Sequence, residues 1–380
     1  KLVYSRGFGN LNQAGTELVQ PHNMFRIASV SKPITSIGVM KLVENGQLNL
    51  DATVFGPSGL LASDPYFASA VITDARITNI TVRHLLEHSA GWNRDLAMTP
   101  SPLPPYPWGY ASSDPIGFPL HVTQTLGESN PVSRRALIKF LVQRGLDFAP
   151  GTQYSYSNIG YIALAEVMEE VTGVPYEDYM KTQIFDQTGA YDMHVGGNFL
   201  SEKIEREGEY VAANTSLSIL VTGQSVPMHY GGINITAMDA HGGWISTASD
   251  LVRVLTAVDG YPTRPDILSQ ATLTNMTTPS ATNTGYAKGW QVHTTGFSGN
   301  WWHSGSLPGT SSYYVRTNTQ FAWALVFNET NTGTYFSGMD GLGWNCLSAT
   351  TSYPTHDLFD VPNTSSSDLG LTLRSQNSLS

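Results

Sequence analysis

The sequence predicts an α+β fold in which an antiparallel sheet is built from both ends of the chain, with a helical region between them. Three observations indicate this. The first nine residues, KLVYSRGFG, have the pattern of a strand that runs into a turn. Strand-like runs return late in the chain, at 311–316 and 321–328, and the segments between have the apolar spacing of helices. Because a strand already opens the sequence, we expect the fold to include further N-terminal residues.

Helices are predicted where apolar residues repeat at helical spacing between capping residues. The segment 30–45 is apolar nearly all round and ends at Asn45-Gly46, a common helix terminus. Gly173 ends another, and Asp250 lies three residues after the capping Thr247. The predicted helices are 30–45, a short helix after the N-cap Thr81, 133–144, 158–172 and 247–258.

Two segments differ from the rest of the chain. Seven of the 21 prolines lie in 100–119, which predicts a long irregular loop that rims a cleft and restricts access to it. The Ser-rich end, from 363 onward, has the composition of a mobile tail. We therefore expect one domain over 1–345 and a partly disordered extension over 346–380.

Composition excludes several classes of partner. The net charge of −10 argues against nucleic acid, and no run approaches the roughly 18 apolar residues that span a bilayer. Cys346 is the only cysteine, so the chain can form neither an internal disulfide nor a thiolate metal cluster. Asn-x-Ser/Thr sites suggest a secreted, extracellular glycoprotein. These sites are Asn79, Asn214, Asn234, Asn275, Asn328 and Asn363.

The stretch IASVSKPITSIGVM, residues 27–40, contains a lysine in an otherwise apolar segment. Ser29 and Lys32 are three apart, so they share one face of a helix, and Pro33 is tolerated only in the first turn. Ser29 then lies at the helix N-terminus, where N–H groups favour negative charge. Burial lowers the pKa of a lysine and makes it a plausible base. Lys32 either activates Ser29 for acyl transfer or extends its amine to water.

Two further motifs follow along the chain. Tyr156-Ser157-Asn158 precedes the helix 158–172, and His303-Ser304-Gly305 precedes the late strands. The order Ser-x-x-Lys, Tyr-x-Asn, His-x-Gly resembles that of the serine β-lactamase-like family, which includes class C β-lactamases, D-alanyl-D-alanine carboxypeptidases and related esterases. Other stretches similar to that family, in the same order, are ITVRHLLEHSAGW, GYIALAEVMEEVTGVPYEDYM, GGWISTASDLVRVL and GYAKGWQV. The resemblance covers most of the chain and implies a β-lactamase/transpeptidase-like fold.

The resemblance also implies a catalytic set. Ser29 would be the nucleophile, and Lys32 would share its proton network. Tyr156 would be the partner base, with its phenolate favoured by the nearby lysine. Tyr154 is the rival for this role, but only Tyr156 has an asparagine two residues on. A serine hydrolase acting through an acyl-enzyme is the function that these residues imply.

Four residues would bind the substrate. Asn158 would hold Lys32 and a substrate carbonyl or amide, unless it is only a helix cap. The backbone N–H of Ser306 would complete an oxyanion hole with that of Ser29, and Gly305 would allow close approach to the strand. His303 occupies the motif position at which lactamases and carboxypeptidases typically have lysine. The alternative is that it is an ordinary, partly buried histidine with no role in binding. Because histidine is mostly neutral at pH 7, small esters, amides or peptides are favoured over penicillins.

Competing interpretations remain at this stage. His84 and His88 have an i, i+4 spacing that can bind zinc, but no glutamate is placed as in a metalloprotease, and we expect no metal and no cofactor. The chain also resembles the β-lactamase-like proteins of molluscan shell matrix, the gigasin type. That resemblance implies an extracellular protein with matrix or mineral partners and little catalysis. Acyl transfer to an acceptor other than water would use the same residues as hydrolysis.

Overall fold

The computed structural model describes residues 1–96, 113–221, 223–293, 299–330 and 335–360. Its helices are α1 (Ser31–Glu44), α2 (Pro65–Ala68), α3 (Val82–Leu86), α4 (Pro119–Leu126), α5 (Arg134–Arg144), α6 (Asn158–Thr172), α7 (Tyr176–Met180), α8 (Asp186–Thr188), α9 (Ala248–Thr256), α10 (Gln270–Thr277) and α11 (Tyr335–Ala349). Its strands are β1 (Phe25–Arg26), β2 (Met193–Val195), β3 (Thr215–Leu217), β4 (Ser225–Pro227), β5 (Trp244–Ser246), β6 (Gln291–Val292), β7 (Trp301–Leu307), β8 (Thr310–Arg316) and β9 (Ala322–Phe327).

Local signals placed the helices correctly. The helices predicted over 30–45, 133–144, 158–172 and 247–258 correspond to α1, α5, α6 and α9. Thr81 caps α3 by accepting from the His84 N–H, and Thr247 caps α9 by accepting from the Asp250 N–H. The helix predictions are confirmed because each rests on a cap and an apolar face that act within one or two turns.

The main sheet is antiparallel, in the order β6-β7-β8-β9, and a separate three-stranded sheet has the order β1-β5-β2. Within the described residues, all four strands of the main sheet come from the late part of the chain. Residues 1–9, expected as a strand of that sheet, form no strand. Their backbone pairs instead with the other end: the Leu358 N–H donates to the Leu2 carbonyl at 2.8 Å, and the Leu2 N–H to Asp357 at 2.8 Å. The two ends of the described chain meet, but outside the sheet.

Helix α1 lies within the main hydrophobic core. Nearly all of α1 is buried, and it packs against α6 and against a π-helical turn, Asp239–Gly243. A partly buried ion network fixes that turn, because Arg134 of α5 contacts Glu166 at 2.7 Å, Glu169 at 2.6 Å and Asp239 at 2.5 Å. The Arg134 network therefore joins α5, α6 and the turn on the helical side of α1.

The predicted loop over 100–119 lies mostly outside the described residues. Of it the structure describes 113–119, which contain a 3-10 turn, Pro115–Gly117, and the start of α4. At the C-terminal end, α11 runs across position 345, the expected end of the domain, and the tail from 361 lies outside the described residues. Across the described ranges, none of the helices has the length and hydropathy of a membrane span.

Candidate active site

Ser29 lies in the turn that leads from β1 into α1. The turn is a 3-10 helix, Ala28–Val30, and Ala28 has a φ of +47°, a region that costs energy for a residue with a side chain. Two hydroxyls of β8 hold the incoming backbone: Ser312 Oγ donates to the Ile27 carbonyl at 2.6 Å, and Thr310 Oγ1 to the Arg26 carbonyl at 2.7 Å. The sheet thus fixes Ser29, which is half-buried, at the N-terminus of α1.

Lys32 is fully buried one turn along α1, so it does not extend to water. Its Nζ lies 3.2 Å from Ser29 Oγ and 3.0 Å from the His241 carbonyl oxygen of the π-helical turn. Burial lowers the pKa of Lys32 well below its ordinary value, Arg94 lowers it further, and Asp114 raises it. Burial therefore favours the neutral amine, which is the form that can accept the Ser29 proton.

Tyr156 is the tyrosine that the fold brings to Ser29. Its ring centroid lies 4.6 Å from Lys32 Nζ, which is itself 3.2 Å from Ser29 Oγ. Tyr154 lies instead beside His88 and Tyr286. Burial raises the pKa of Tyr156, and this effect outweighs the opposite effects of the Ser29 hydroxyl and of Arg94. Burial therefore favours the neutral Tyr156 hydroxyl over the expected phenolate in the resting site.

Asn158 begins α6, but it is not the cap of that helix. Ser157 is the cap, since its side chain accepts from the Gly160 N–H. Asn158 Nδ2 donates to Asp114 at 2.8 Å, whereas Lys32 bonds to Ser29 and His241. The expectation that Asn158 holds Lys32 is corrected accordingly. Asn158 is part of the site through the buried carboxylate of Asp114, which belongs to none of the three sequence motifs.

His303 is buried in β7 and takes part in a chain of hydrogen bonds. Its Nδ1 lies 2.7 Å from the Ser304 carbonyl oxygen, so Nδ1 carries the proton, and Nε2 accepts from the Tyr286 hydroxyl at 3.3 Å. His88 Nδ1 accepts from the Ser157 N–H at 3.1 Å, so His88 Nε2 donates to Tyr286 at 3.1 Å. Burial lowers the pKa of His303 to about 3, assisted by Lys32. His303 is thus neutral, as expected, and is more deeply buried than the alternative interpretation assumed.

One edge of β7 is open beside Ser29. β6 pairs only with Trp301 and Trp302, and the His293 N–H donates to the Asn300 carbonyl at 3.0 Å across that pair. Because successive residues of a strand point their N–H groups to opposite edges, Asn300, Ser304 and Ser306 share the edge away from β8. Beyond the end of β6 that edge is uncovered by this sheet, and Ser306 is exposed. The Ser306 N–H therefore lies on a part of the β7 edge that no strand of the described sheet covers.

Gly305 makes the close approach of β7 to the nucleophile possible. A Cβ atom at Gly305 would collide with the Ile27 carbonyl oxygen and with Ser312 Oγ, and it would lie 3.0 Å from Ala28 Cβ. No side chain fits between β7 and the Ser29 turn, so glycine is required at this position.

Residues 1–343 match the family model described as Beta-lactamase. The chain belongs to the Beta-lactamase family. The fold class predicted from the sequence is confirmed by this match and by a solved structure, the octameric penicillin-binding protein homologue from Pyrococcus abyssi. That structure superposes with a TM-score of 0.59 at 24% identity, over 86% of this chain and 67% of that chain.

Curated relatives of this Beta-lactamase family chain include Penicillin-binding protein 4* of Bacillus subtilis (strain 168), which is 27% identical over 325 residues, covering 83% of this chain and 62% of the relative. Esterase EstB of Burkholderia gladioli is 24% identical over 286 residues, covering 69% of this chain and 64% of the esterase. The chain thus spans less than two thirds of the length of these relatives.

Sequence reasoning missed several residues of this Beta-lactamase family site. Arg94 lies with its Cζ 4.5 Å from the Tyr156 ring centroid, and Asp114, Tyr286 and His88 make the hydrogen bonds described above. None of them belongs to a recognisable spacing, because each reaches the site through long-range packing. His88 was considered only as a zinc ligand with His84. His84 Nδ1 accepts from the Thr81 N–H at 3.2 Å, and the described residues contain no cluster of three metal-ligating side chains.

Proposed function

We propose that the protein is a serine hydrolase that forms an acyl-enzyme with an ester, amide or peptide bond. The observation that carries this is the position of the Ser29 hydroxyl, which lies 3.2 Å from the Lys32 amine, itself 4.6 Å from the centroid of the Tyr156 ring. A nucleophile beside a neutral base is the arrangement that acyl transfer needs. Relatives named as a penicillin-binding protein and an esterase support the same reaction class.

The chemistry follows from the protonation states of the site. Ser29 Oγ attacks the substrate carbonyl carbon while its proton passes to the neutral Lys32 amine. The oxyanion that forms accepts hydrogen bonds from the backbone N–H groups of Ser29 and Ser306. The C–O or C–N bond then breaks as the Tyr156 hydroxyl gives its proton to the leaving oxygen or nitrogen and takes up the proton that Lys32 accepted from Ser29, so both residues return to their neutral forms. Water attacks the acyl-enzyme by the reverse order of proton transfers and releases Ser29.

His303 supports a preference for substrates that need no positive charge at the third motif. Burial keeps its imidazole neutral, and its two nitrogens are engaged with Ser304 and Tyr286. A neutral ring cannot replace the fixed charge of a lysine in binding a carboxylate. We therefore propose small esters, amides or peptides as substrates and expect weak turnover of penicillins.

The test is intact mass spectrometry after brief exposure to p-nitrophenyl acetate. We expect one acetyl adduct and release of p-nitrophenol from the wild type, and neither from Ser29→Ala. Ser58→Ala, at an exposed serine outside the site, is the matched control and should behave like the wild type. If the folded wild type forms no adduct and releases no p-nitrophenol, the protein is not a hydrolase of this type.

A secreted matrix protein is the second proposal. Asn79, Asn214 and Asn275 are exposed, as glycan acceptors must be, whereas Asn234 is buried and donates to the Val132 carbonyl at 3.0 Å. Expression in a secretory eukaryotic host, followed by glycosidase treatment, should remove mass from the first three sites and none from Asn234. A matrix or mineral partner should then bind Ser29→Ala as well as the wild type.

Acyl transfer to an acceptor other than water is distinguished by the same assay. It requires that an added amine or alcohol raise the rate at which the acyl-enzyme disappears. Hydrolysis alone leaves that rate unchanged by the acceptor, so a series of acceptor concentrations separates the two reactions.

A further inference from the structure

The two ends of the segment 97–112 are held together at the active site. The Ser113 N–H donates to the Arg94 carbonyl at 2.9 Å, and Ser113 Oγ donates to the Asn93 carbonyl at 2.7 Å. These two hydrogen bonds close a stem at the ends of the segment. Two oppositely charged residues belong to it or adjoin it, Arg94 on the N-terminal side and Asp114 on the C-terminal side.

Arg94 lies against the second motif. Its Cζ is 4.5 Å from the centroid of the Tyr156 ring, and Lys32 Nζ is 4.6 Å from the same centroid. A guanidinium over an aromatic face is a favourable contact, which fixes the charge near Ser29. The Arg94 side chain is 38% exposed, so its charge is partly screened by water but not removed.

Asp114 contacts Asn158, which belongs to the same Tyr-x-Asn motif as Tyr156. It is 7% exposed, and it accepts from Asn158 Nδ2 at 2.8 Å and from the Ile116 N–H at 3.2 Å. The second hydrogen bond caps the 3-10 turn that follows, so the carboxylate is fixed by its own backbone as well as by Asn158.

We propose that Arg94 and Asp114 are a pair of positioning residues for the Ser29–Lys32 site, and that they act on Lys32 through opposite charges. This inference rests on the proposed function for its catalytic consequence. Its physical content, the action of two named charges on one amine, can be measured without catalysis.

The two charges act in opposite directions. Arg94 lowers the pKa of Lys32, and Asp114 raises it. The other groups that face Lys32 carry no charge in the resting site, because burial lowers the pKa of each histidine and raises that of each tyrosine. They are His88, His241, His303, Tyr156 and Tyr161, together with the Ser29 hydroxyl. Since only the neutral amine accepts the Ser29 proton, burial sets the range of pH in which the enzyme becomes active, and the two charges shift that range in opposite directions.

The experiment measures kcat/KM for p-nitrophenyl acetate against pH. Arg94→Gln removes the positive charge, so the acid limb of the profile should move to higher pH. Burial raises the pKa of Asp114 itself, so its charge acts on Lys32 where that carboxyl is ionised. In that range Asp114→Asn removes the negative charge, and the limb should move to lower pH. Each shift should be about one pH unit, the effect of a partly screened charge at this range.

Two control variants separate charge from packing. Arg94→Lys keeps the charge and should leave the limb close to that of the wild type, even if it lowers the maximum rate. Asp186→Asn removes an exposed carboxylate of α8, away from Arg94 and Asp114, and water should screen its effect almost entirely. Limbs that stay in place in Arg94→Gln and Asp114→Asn, or that move in the same direction, would overturn the proposal.

A second measurement is independent of activity. The chain has seven lysines, so isotope-labelled lysine gives a simple NMR spectrum in which Lys32→Arg identifies the Lys32 signal. Titration of that signal in the wild type and both variants should show the same opposite shifts. Opposite shifts in an inactive wild type would refute the hydrolase and retain the inference. An active enzyme whose Lys32 signal does not respond to the variants would refute the inference and retain the hydrolase.

Discussion

The Tyr286 hydroxyl lies 3.3 Å from His303 Nε2 and 3.1 Å from His88 Nε2, and so it joins the second motif of the chain to the third. The two ends of this series of hydrogen bonds determine the direction of every bond in it. A backbone N–H donates at Ser157, and a backbone carbonyl accepts at Ser304. Burial keeps both histidines neutral, so the chain has a single arrangement of protons.

Replacement of Tyr286 by phenylalanine should destabilise the protein. The His88 N–H and His303 Nε2 would stay buried without this partner, at a cost of about 1–3 kcal/mol in the free energy of unfolding. Urea unfolding measures the loss. Tyr191→Phe, at a tyrosine that is 69% exposed, is the matched control and should change little. Equal losses in the two variants would contradict the hydrogen-bond chain.

Lys32→Met should make stability depend on pH in a different way from the wild type. Only the folded state disfavours the charged amine, so the unfolded chain binds more protons between the lowered folded pKa and about 10.5. The free energy of unfolding of the wild type should therefore rise with pH relative to Lys32→Met across that window, by about 1.4 kcal/mol per pH unit. Below the folded pKa the difference should be constant. Lys181→Met, at a surface lysine, should follow the wild type; parallel curves for Lys32→Met and wild type would refute a buried neutral amine.

Gly305→Ala should greatly reduce acylation. The added methyl group overlaps the Ile27 carbonyl oxygen, so β7 must move away from the Ser29 turn. A displacement of about 1 Å in such a site costs on the order of 100-fold in rate. The burst of p-nitrophenol measures acylation directly. Gly338→Ala, at a glycine with open space around it, is the control. A burst of unchanged rate in Gly305→Ala would show that the approach of β7 is not needed.

Replacement of 97–112 by a short Gly-Ser linker tests the predicted role of the proline-rich loop in restricting access. The fold should survive, because the hydrogen bond between Ser113 and Arg94 closes the stem without the residues between. The preference among p-nitrophenyl esters of increasing acyl length should shift towards the longer acyl groups. An unchanged order of kcat/KM across the series would show that the loop does not select substrates.

The sequence predicted the parts of the site that depend on local spacing. Ser29 and Lys32 share a helix face, and the apolar residues around Lys32 already indicated its burial. Tyr156 could be preferred to Tyr154 from the asparagine two residues on, and the structure places its ring centroid 4.6 Å from Lys32 Nζ. In each case the signal lies within one turn of the residue concerned.

Long-range packing and desolvation could not be predicted from local spacing. Arg94 lies 62 residues before Tyr156, and nothing in the pattern around it indicates that contact. The sequence favoured a phenolate at Tyr156 because a nearby cation is visible in it, whereas the loss of water around the ring, which raises the pKa of Tyr156, is not. The strand pattern of residues 1–9 likewise gave no information about which backbone they would pair with.

The hydroxyls of Thr310 and Ser312, which bind the backbone at Arg26 and Ile27, also bear on motion. They join the Ser29 turn to β8, and β8 pairs along its whole length with β7, which carries Ser306. If Ser29 and Ser306 act as proposed, the attacking oxygen and the oxyanion donor are therefore held by the same sheet. A change in the packing of the helical region would then alter how easily a substrate enters, while the alignment of these two groups would be kept.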